Sequence, residues 1–254
     1  MKIILAVIPS LIIGITVYLS DKKEREPLIE ILKAFILGGI SILITLGISF
    51  VFNIGTIDLD NSNMLDIFIY SFIGIALIEE FSKFLCGYLF IRKNPNFDYM
   101  YDGIVYFVFV SLGFATIENI IYAFNSDIET ILMRAITTVP SHAFFGMACG
   151  YLFAIHRREK FKEKQKKTYK YLVLSLIIPI ILHGFYDFCL LEENMLFFMI
   201  YVFFVVSLYS FSIGNAKKME TIDHKLNSKS IHCRNCGKRV KGKVCKNCGK
   251  EIEE

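Results

Sequence analysis

The sequence predicts an all-α polytopic membrane protein in which about seven transmembrane helices form a bundle, followed by a small C-terminal zinc-ribbon module. Of the 254 residues, 54% are hydrophobic. They form long blocks instead of alternating with charged residues, a pattern typical of membrane-spanning chains. Each block has about the 20 residues that a helix needs to cross the hydrocarbon core. Four cysteines are grouped in the tail.

Short polar loops separate the apolar blocks. The blocks span residues 3–20, 29–53, 65–91, 104–124, 128–155, 171–190 and 195–214. A signal peptide is the alternative interpretation of the first block, which follows Lys2. We interpret it as an uncleaved helix, because no small-x-small cleavage site precedes Asp21 and the block is long for a signal sequence.

The charges of the loops predict the orientation of the chain. Alternate loops are basic or contain a basic pair, namely residues 21–27, 92–102, 156–170 and the start of the tail at Lys217 and Lys218. The intervening loops, 55–64, 125–127 and 191–194, contain no lysine or arginine. Because basic loops stay on the cytoplasmic side, we expect the N-terminus outside and the tail in the cytoplasm. The net charge of +4 gives no reason to expect a nucleic-acid partner.

The tail predicts a metal site. It contains two Cys-x-x-Cys pairs, each followed by Gly-Lys, formed by Cys233, Cys236, Cys245 and Cys248. Four thiolates in this spacing are the ligands of a tetrahedral structural zinc, whereas disulfides rarely persist in the cytoplasm. Residues 215–230 are expected to be a polar linker, and residues 231–254 a ribbon that folds with the metal. Recruiting a cytoplasmic protein partner, sensing metal, and having no binding role all remain open for the ribbon.

Ionisable side chains inside the apolar blocks require an explanation. They are Glu79, Glu80 and Lys83 in the third block, Glu118 in the fourth, His142 in the fifth, and His183 with Asp187 in the sixth. An ionised side chain at mid-bilayer costs about 2.5–3.5 kcal/mol on insertion scales. At 1.5 Å per residue, the four blocks carry these groups at similar depths, roughly 16–21 Å from the cytoplasmic ends. One shared polar site is the economical interpretation.

Each of these residues also has a structural interpretation. Glu79 and Lys83, four residues apart on one helix face, could neutralise each other. A histidine such as His142 is often a hydrogen-bonding residue between helices. For Arg134, near the outer end of the fifth block, we expect the side chain to extend to the interface. Pro140 is expected to bend the fifth helix.

Hydrolysis fits this set of groups. Carboxylates in a cavity can divide the roles of base and acid, and a histidine with an ordering carboxylate can ligate a metal or activate water. The alternative is a non-enzymatic, proton-coupled transporter or membrane sensor that uses the same carboxylates as a relay. That alternative has less support, because the sequence shows no inverted repeat.

The motifs resemble those of a known family. Glu79-Glu80-x-x-Lys83 resembles its EExxK motif, Phe114-x-x-x-Glu118-x-x-x-Tyr122 its FxxxExxxY motif, and His142 with His183-x-x-x-Asp187 its later histidine motifs. The chain is thereby similar to the PrsW family of intramembrane proteases, distant relatives of the CAAX-processing and Abi proteases. The resemblance implies a protease domain over residues 1–214 that cleaves membrane-anchored proteins, such as anti-sigma factors in some members.

The resemblance also implies roles for the site residues. Glu79 and Glu80 would activate the attacking water, and Lys83 would tune their charge. Glu118, His142 and His183 would complete a water or metal site, with Asp187 orienting or supplementing His183. Whether catalysis is glutamate-type or metal-dependent stays open at this stage.

Overall fold

The computed structural model describes most of the chain. It describes residues 1–21, 25–54, 62–92, 94–161, 165–192, 194–222, 231–232, 239–240 and 248–249. Of the predicted zinc ligands, Cys233, Cys236 and Cys245 lie outside the described residues, and Cys248 is exposed. In the tail, the two-residue strands β1 (Ile231–His232) and β2 (Arg239–Val240) pair antiparallel.

The membrane region is helical. Its helices are α1 (Lys2–Ser20), α2 (Leu28–Val51), α3 (Met64–Ile69), α4 (Leu77–Ile91), α5 (Met100–Asn125), α6 (Ile128–Ile136), α7 (Thr138–Phe161), α8 (Gln165–Leu191) and α9 (Met195–Ile222). Among the described residues, five helical segments are long and apolar enough to cross a membrane: Lys2–Ser20, Leu28–Val51, Met100–Asn125, Ile128–Lys160 and Thr168–Leu191. The third predicted span, which carries several charges, and the seventh, whose described apolar part is Met195–Leu208, stay predictions.

The third apolar block forms one continuous helical rod. Asn63 caps α3 by accepting hydrogen bonds from the backbone amides of Leu65 and Asp66. A π-helical turn, Tyr70–Ala76, then joins α3 to α4 without a break. Such turns are rare and often occur at functional sites, since the extra residue rotates the following side chains. Glu79 lies just beyond this turn.

The fifth apolar block is confirmed as one candidate span, Ile128–Lys160, but it consists of two helices instead of the predicted single helix bent by Pro140. Asp127 caps α6 through the amide of Thr130. The break comes at Thr137, whose backbone amide bonds back to the Met133 carbonyl. Pro140 lies in the first turn of α7, where an amide has no helical partner, so the proline ring is tolerated there.

Helix α5 forms the centre of the bundle. In the most apolar stretch of α5, 72% is buried inside the protein, whereas the corresponding stretches of α1 and α2 are 17% and 22% buried. Helix α7 packs closely against it at Gly146 and Gly150, where an added Cβ would lie 2.6 Å from the Phe107 carbonyl oxygen and 2.1 Å from that of Gly103. The two glycines therefore permit close packing of α7 against α5. The exposed faces of α1 and α2 carry large apolar side chains, as lipid contact requires.

Candidate active site

Lys83 is the centre of a buried polar cluster. Its ammonium lies 2.5 Å from Glu80 Oε1, 3.2 Å from His142 Nδ1 and 3.7 Å from Glu79 Oε2. It also lies 4.4 Å from the centroid of the Phe114 ring, which shields it from one side. The predicted Glu79–Lys83 pair is therefore present, but the closer partner of Lys83 is Glu80.

His142 is held between a cation and a carboxylate. An ammonium can only donate hydrogen bonds, so the Nδ1 atom that faces Lys83 must accept. The ring proton of neutral His142 is then on Nε2, which lies 3.1 Å from Glu118 Oε2 and donates to it. Two contacts from different helices thus fix the tautomer and the ring orientation.

His183 faces three carboxylates. Its Nδ1 lies 2.8 Å from Glu80 Oε1, the same oxygen that binds Lys83. Its Nε2 lies 3.2 Å from Asp187 Oδ2 and 3.9 Å from Glu79 Oε2. Because the Glu80 carboxylate accepts, His183 carries a proton on Nδ1; in the neutral form of the ring, the lone pair of Nε2 then faces these two oxygens. Glu80 and His183 thereby form a carboxylate–histidine pair, in which the carboxylate orients a histidine that can bind a metal or a water.

Two carboxylate oxygens of the cluster have no hydrogen-bond donor. Glu79 Oε2 and Asp187 Oδ2 are buried and accept no hydrogen bond from any residue that the structure describes. Leaving a buried carboxylate oxygen without a donor is costly, so such a pair of oxygens is expected to bind a proton, a water or a cation. Ligand atoms of Glu79, His142 and His183 also lie within 4.8 Å of one another, close enough to share a metal ion.

The prediction that the Arg134 side chain extends to the interface is wrong, because the side chain contacts Glu118 and Asn119 inside the bundle. Its Nη2 lies 2.8 Å from Glu118 Oε1, and its Nε donates to Asn119 Oδ1 at 2.8 Å. Its guanidinium carbon lies 3.7 Å from the centroid of the Tyr122 ring. The side chain turns inward because α5 offers a carboxylate, an amide and an aromatic face within one helical turn.

The FxxxExxxY motif thus places three residues along one face of α5, and each of them contacts a charged group of the cluster. Phe114 covers Lys83, Glu118 joins His142 to Arg134, and Tyr122 covers Arg134. Residues four apart lie on the same helix face, so the spacing accounts for this arrangement.

Exposure divides the cluster into two sides. Glu80, Lys83, His142 and His183 are fully buried. The side chains of Glu79, Glu118 and Asp187 are 12%, 17% and 14% exposed. The two oxygens without donors thus belong to the less buried residues of the cluster.

All seven residues singled out from the sequence lie in this one cluster, although four helices supply them. Two further members were not predicted from the sequence: Arg134, and Phe145, whose ring stacks on His183 at a centroid distance of 5.1 Å. A signal for Arg134 was available, because an arginine inside a membrane block is by default a candidate for a functional site. Phe145 had none, since an apolar residue in a membrane helix is unremarkable.

Comparison with known proteins identifies the family. The family described as PrsW family intramembrane metalloprotease matches residues 26–211. A protein named Protease PrsW from Clostridioides difficile (strain 630) is 31% identical over 243 residues, which cover 94% of this chain and 97% of the relative. Protease PrsW from Oceanobacillus iheyensis is 39% identical over 182 residues, which cover 72% of this chain and 79% of the relative.

A third relative, Protease PrsW from Geobacillus kaustophilus (strain HTA426), is 37% identical over 177 residues, or 70% of this chain and 74% of the relative. No solved structure matches the chain. The matched region begins before α2, ends within α9 and includes every residue of the buried cluster. The chain belongs to the PrsW family of intramembrane proteases.

Proposed function

We propose that this enzyme hydrolyses a peptide bond of a membrane-anchored protein close to the bilayer, and that Glu79 activates the attacking water. One observation carries the proposal: Glu79 Oε2 and Asp187 Oδ2, both buried without a hydrogen-bond donor among the described residues, face the same nitrogen of His183. A water between these atoms would donate a hydrogen bond to one carboxylate oxygen. Its own lone pair would stay available for attack on the peptide carbonyl carbon. This is the arrangement that general-base catalysis requires.

The contacts favour Glu79 over Glu80 as the base. Glu80 Oε1 already accepts from both Lys83 and His183, and only 4% of the residue is exposed. A carboxylate bound by two donors is a weak base and a good anchor. Glu79 is more exposed, lies farther from Lys83 and keeps an oxygen without a donor. We therefore assign Glu80 to positioning and Glu79 to proton transfer.

In the proposed reaction, the water oxygen attacks the peptide carbonyl carbon while Glu79 accepts a proton from the water. The carbon–nitrogen bond then breaks, and Glu79 returns the proton to the leaving amine. Lys83 balances the charge of Glu80, and Arg134 balances that of Glu118. Negative charge in the cavity is thereby concentrated on Glu79 and Asp187, beside the reacting water.

A metal ion fits the same space. The Nε2 of His183 lies 3.2 Å from Asp187 Oδ2 and 3.9 Å from Glu79 Oε2. These distances are close to the spacing between ligand atoms around a tetrahedral zinc. Glu79 and His183 would hold the ion, with Asp187 or His142 completing the set. For His142 to join, one of its contacts with Lys83 and Glu118 must be released. Such an ion would polarise the water and lower its pKa.

The wider organisation is part of the proposal. We infer a protease domain over residues 1–214 with seven spans, the N-terminus outside and the tail in the cytoplasm. Residues 215–230 are proposed as a linker and residues 231–254 as a zinc ribbon held by the four tail cysteines, for which a cytoplasmic protein partner is one role. A regulatory membrane protein, such as an anti-sigma factor, is the proposed substrate class.

The test compares membranes that contain the wild-type enzyme with membranes that contain Glu79→Gln. Proteomics of protein termini should find a fragment whose new terminus lies beside a transmembrane segment, and this fragment should disappear with Glu79→Gln. Glu129→Gln is the matched control, because Glu129 is exposed and lies outside the site. Equal amounts of fragment in wild type and Glu79→Gln would contradict the proposal.

The transporter alternative makes the opposite prediction. Purified wild-type protein in sealed vesicles would take up solute along a proton gradient without cutting any membrane-anchored protein. We expect proteolysis and no proton-driven uptake.

A further inference from the structure

We propose that Arg134 is a positioning residue of the active site, which acts through Glu118 to hold His142 in one tautomer and one orientation. The inference deepens the proposed function and rests on it. Arg134 lies outside the EExxK, FxxxExxxY and histidine motifs, on a different helix, α6.

Arg134 binds one end of a chain of charged contacts. The two oxygens of Glu118 are divided between two partners: Oε1 lies 2.8 Å from Arg134 Nη2, and Oε2 lies 3.1 Å from His142 Nε2. The Nδ1 of His142 then faces Lys83 at 3.2 Å. A displacement of Arg134 would free Glu118 to rotate, and His142 would lose the acceptor that keeps its proton on Nε2.

Arg134 is itself held rigidly, as a positioning residue must be. Asn119 fixes Nε, and the Tyr122 ring lies against the guanidinium face. The side chain is only 13% exposed. A planar guanidinium can bind a carboxylate and an amide at once and still stack on an aromatic ring, which the ammonium of a lysine cannot do.

Helix α6 brings the arginine to this place from the outer end of the bundle. Asp127 caps its first turn, and Ile131 is fully buried in a cluster with Ala6 of α1 and Ala123 of α5. Thr137 then separates α6 from α7. Arg134 of α6 and His142 of α7 thus contact different oxygens of Glu118.

The test measures cleavage of a fluorogenic peptide anchored in the same proteoliposomes as the full-length enzyme. We expect Arg134→Gln to lower kcat about 10- to 100-fold, the range seen for residues that orient a catalytic group, with KM nearly unchanged. Arg134→Lys should have a kcat between those of Arg134→Gln and the wild type, because lysine keeps the positive charge but lacks the planar guanidinium group. In combination with Glu118→Gln, Arg134→Gln should cause little further loss, since both variants break one chain of contacts.

Arg157→Gln is the matched control. Arg157 also stacks on an aromatic ring, that of Phe97 at 4.9 Å, but it lies at the other end of α7, away from the cluster. This variant should keep the wild-type kcat. Wild-type kcat in Arg134→Gln, or losses that multiply independently in the double variant, would overturn the proposal.

A second readout does not depend on proteolysis. Nitrogen-15 NMR of histidine-labelled full-length protein, with His142 assigned by its loss in His142→Asn, should show Nε2 protonated and Nδ1 unprotonated. In Arg134→Gln the two tautomers should mix, whereas in Arg157→Gln they should not. An unchanged His142 spectrum in Arg134→Gln would refute the positioning role. A mixed spectrum in a protein that cleaves nothing would instead refute only the proposed function.

Discussion

At the scale of single residues, the two adjacent glutamates have different surroundings. Glu80 is bound to Lys83 and His183, whereas Glu79 keeps a buried oxygen without a donor among the described residues. Since neighbours on a helix point about 100° apart, two identical side chains can occupy unlike environments. The two substitutions by glutamine should therefore fail in different ways.

For Glu79→Gln, we expect loss of catalysis without loss of folding. The amide keeps the size of the side chain but cannot accept a proton, and general bases contribute about 10²–10⁴-fold to rates. Cleavage of the anchored peptide should fall by at least this factor, while the Tm in detergent changes little. A variant that retains most of its activity would show that Glu79 is not the base.

For Glu80→Gln, we expect loss of stability as well. The substitution leaves the buried Lys83 ammonium without its nearest counter-charge, and breaking a buried ion pair costs about 3–5 kcal/mol. The measurement is thermal unfolding of the detergent-solubilised protein, with Glu129→Gln as the control. A Tm equal to that of Glu79→Gln would contradict the anchoring role of Glu80.

At the scale of helices, α2 and α5 approach each other through glycine. A Cβ added to Gly38 would lie 1.9 Å from the Val110 carbonyl oxygen, whereas a Cβ added to Gly47, on the same helix, would have no neighbour within 4 Å. Gly38→Ala should therefore separate the helices and cost about 1–3 kcal/mol. Gly47→Ala should stabilise the helix by up to about 1 kcal/mol. Thermal unfolding of both variants tests this contrast, which would fail if Gly38→Ala were neutral.

The connection between α1 and α2 predicts a pH dependence. Burial raises the pKa of Glu26 to about 8, and the nearby carboxylates of Asp98 and Asp21 also raise it, although hydrogen bonds with Tyr106 and Asp102 lower it. Glu26 is thus protonated at neutral pH in the folded protein, whereas in the unfolded chain it ionises near 4.5. Because the folded state binds this proton more tightly, its contribution to stability is present in full below pH 4.5 and is lost as the pH rises to about 8.

Glu26→Gln should flatten this dependence. The glutamine can keep a contact with Tyr106 but has no proton to lose. Unfolding in denaturant between pH 5 and pH 8 should show wild-type stability falling by up to about 1.4 kcal/mol per pH unit from this group. The stability of the Glu26→Gln protein should fall less steeply over the same pH range. Equal slopes for the two proteins would mean that Glu26 does not control the trend.

At the scale of the whole molecule, the chain is a multi-pass membrane protease. Two separate regions carry residue types that can ligate metal, namely the Glu79, His142 and His183 group and the proposed ribbon with its four cysteines. We expect purified protein to contain about one ion in the membrane site and one in the ribbon. Serine at the four tail cysteines should remove only the second ion, and His183→Ala only the first. Metal analysis of the three proteins provides the test. A site that holds no metal, in an enzyme whose cleavage resists chelators, would favour the glutamate-type mechanism.

Much of the architecture followed from local pattern. The apolar blocks predicted the helices within a few residues at most ends, since a membrane helix must be both long and apolar. The break before α7 was not predicted. It comes at Thr137, whose φ of −117° departs from the usual helical value, and a single threonine does not mark a helix end in the hydropathy pattern. The hydropathy pattern therefore does not distinguish α6 from α7.

The sequence by itself determined which residues belong to the polar layer, because helical spacing and depth are properties of each segment. Only the tertiary structure decided the partners: Lys83 binds Glu80 most closely, His183 reaches that same oxygen from 103 residues away, and Arg134 turns inward. The physical reason is that helix periodicity fixes which side chains share a face. The rotation of each helix and the contacts between helices decide which charges meet.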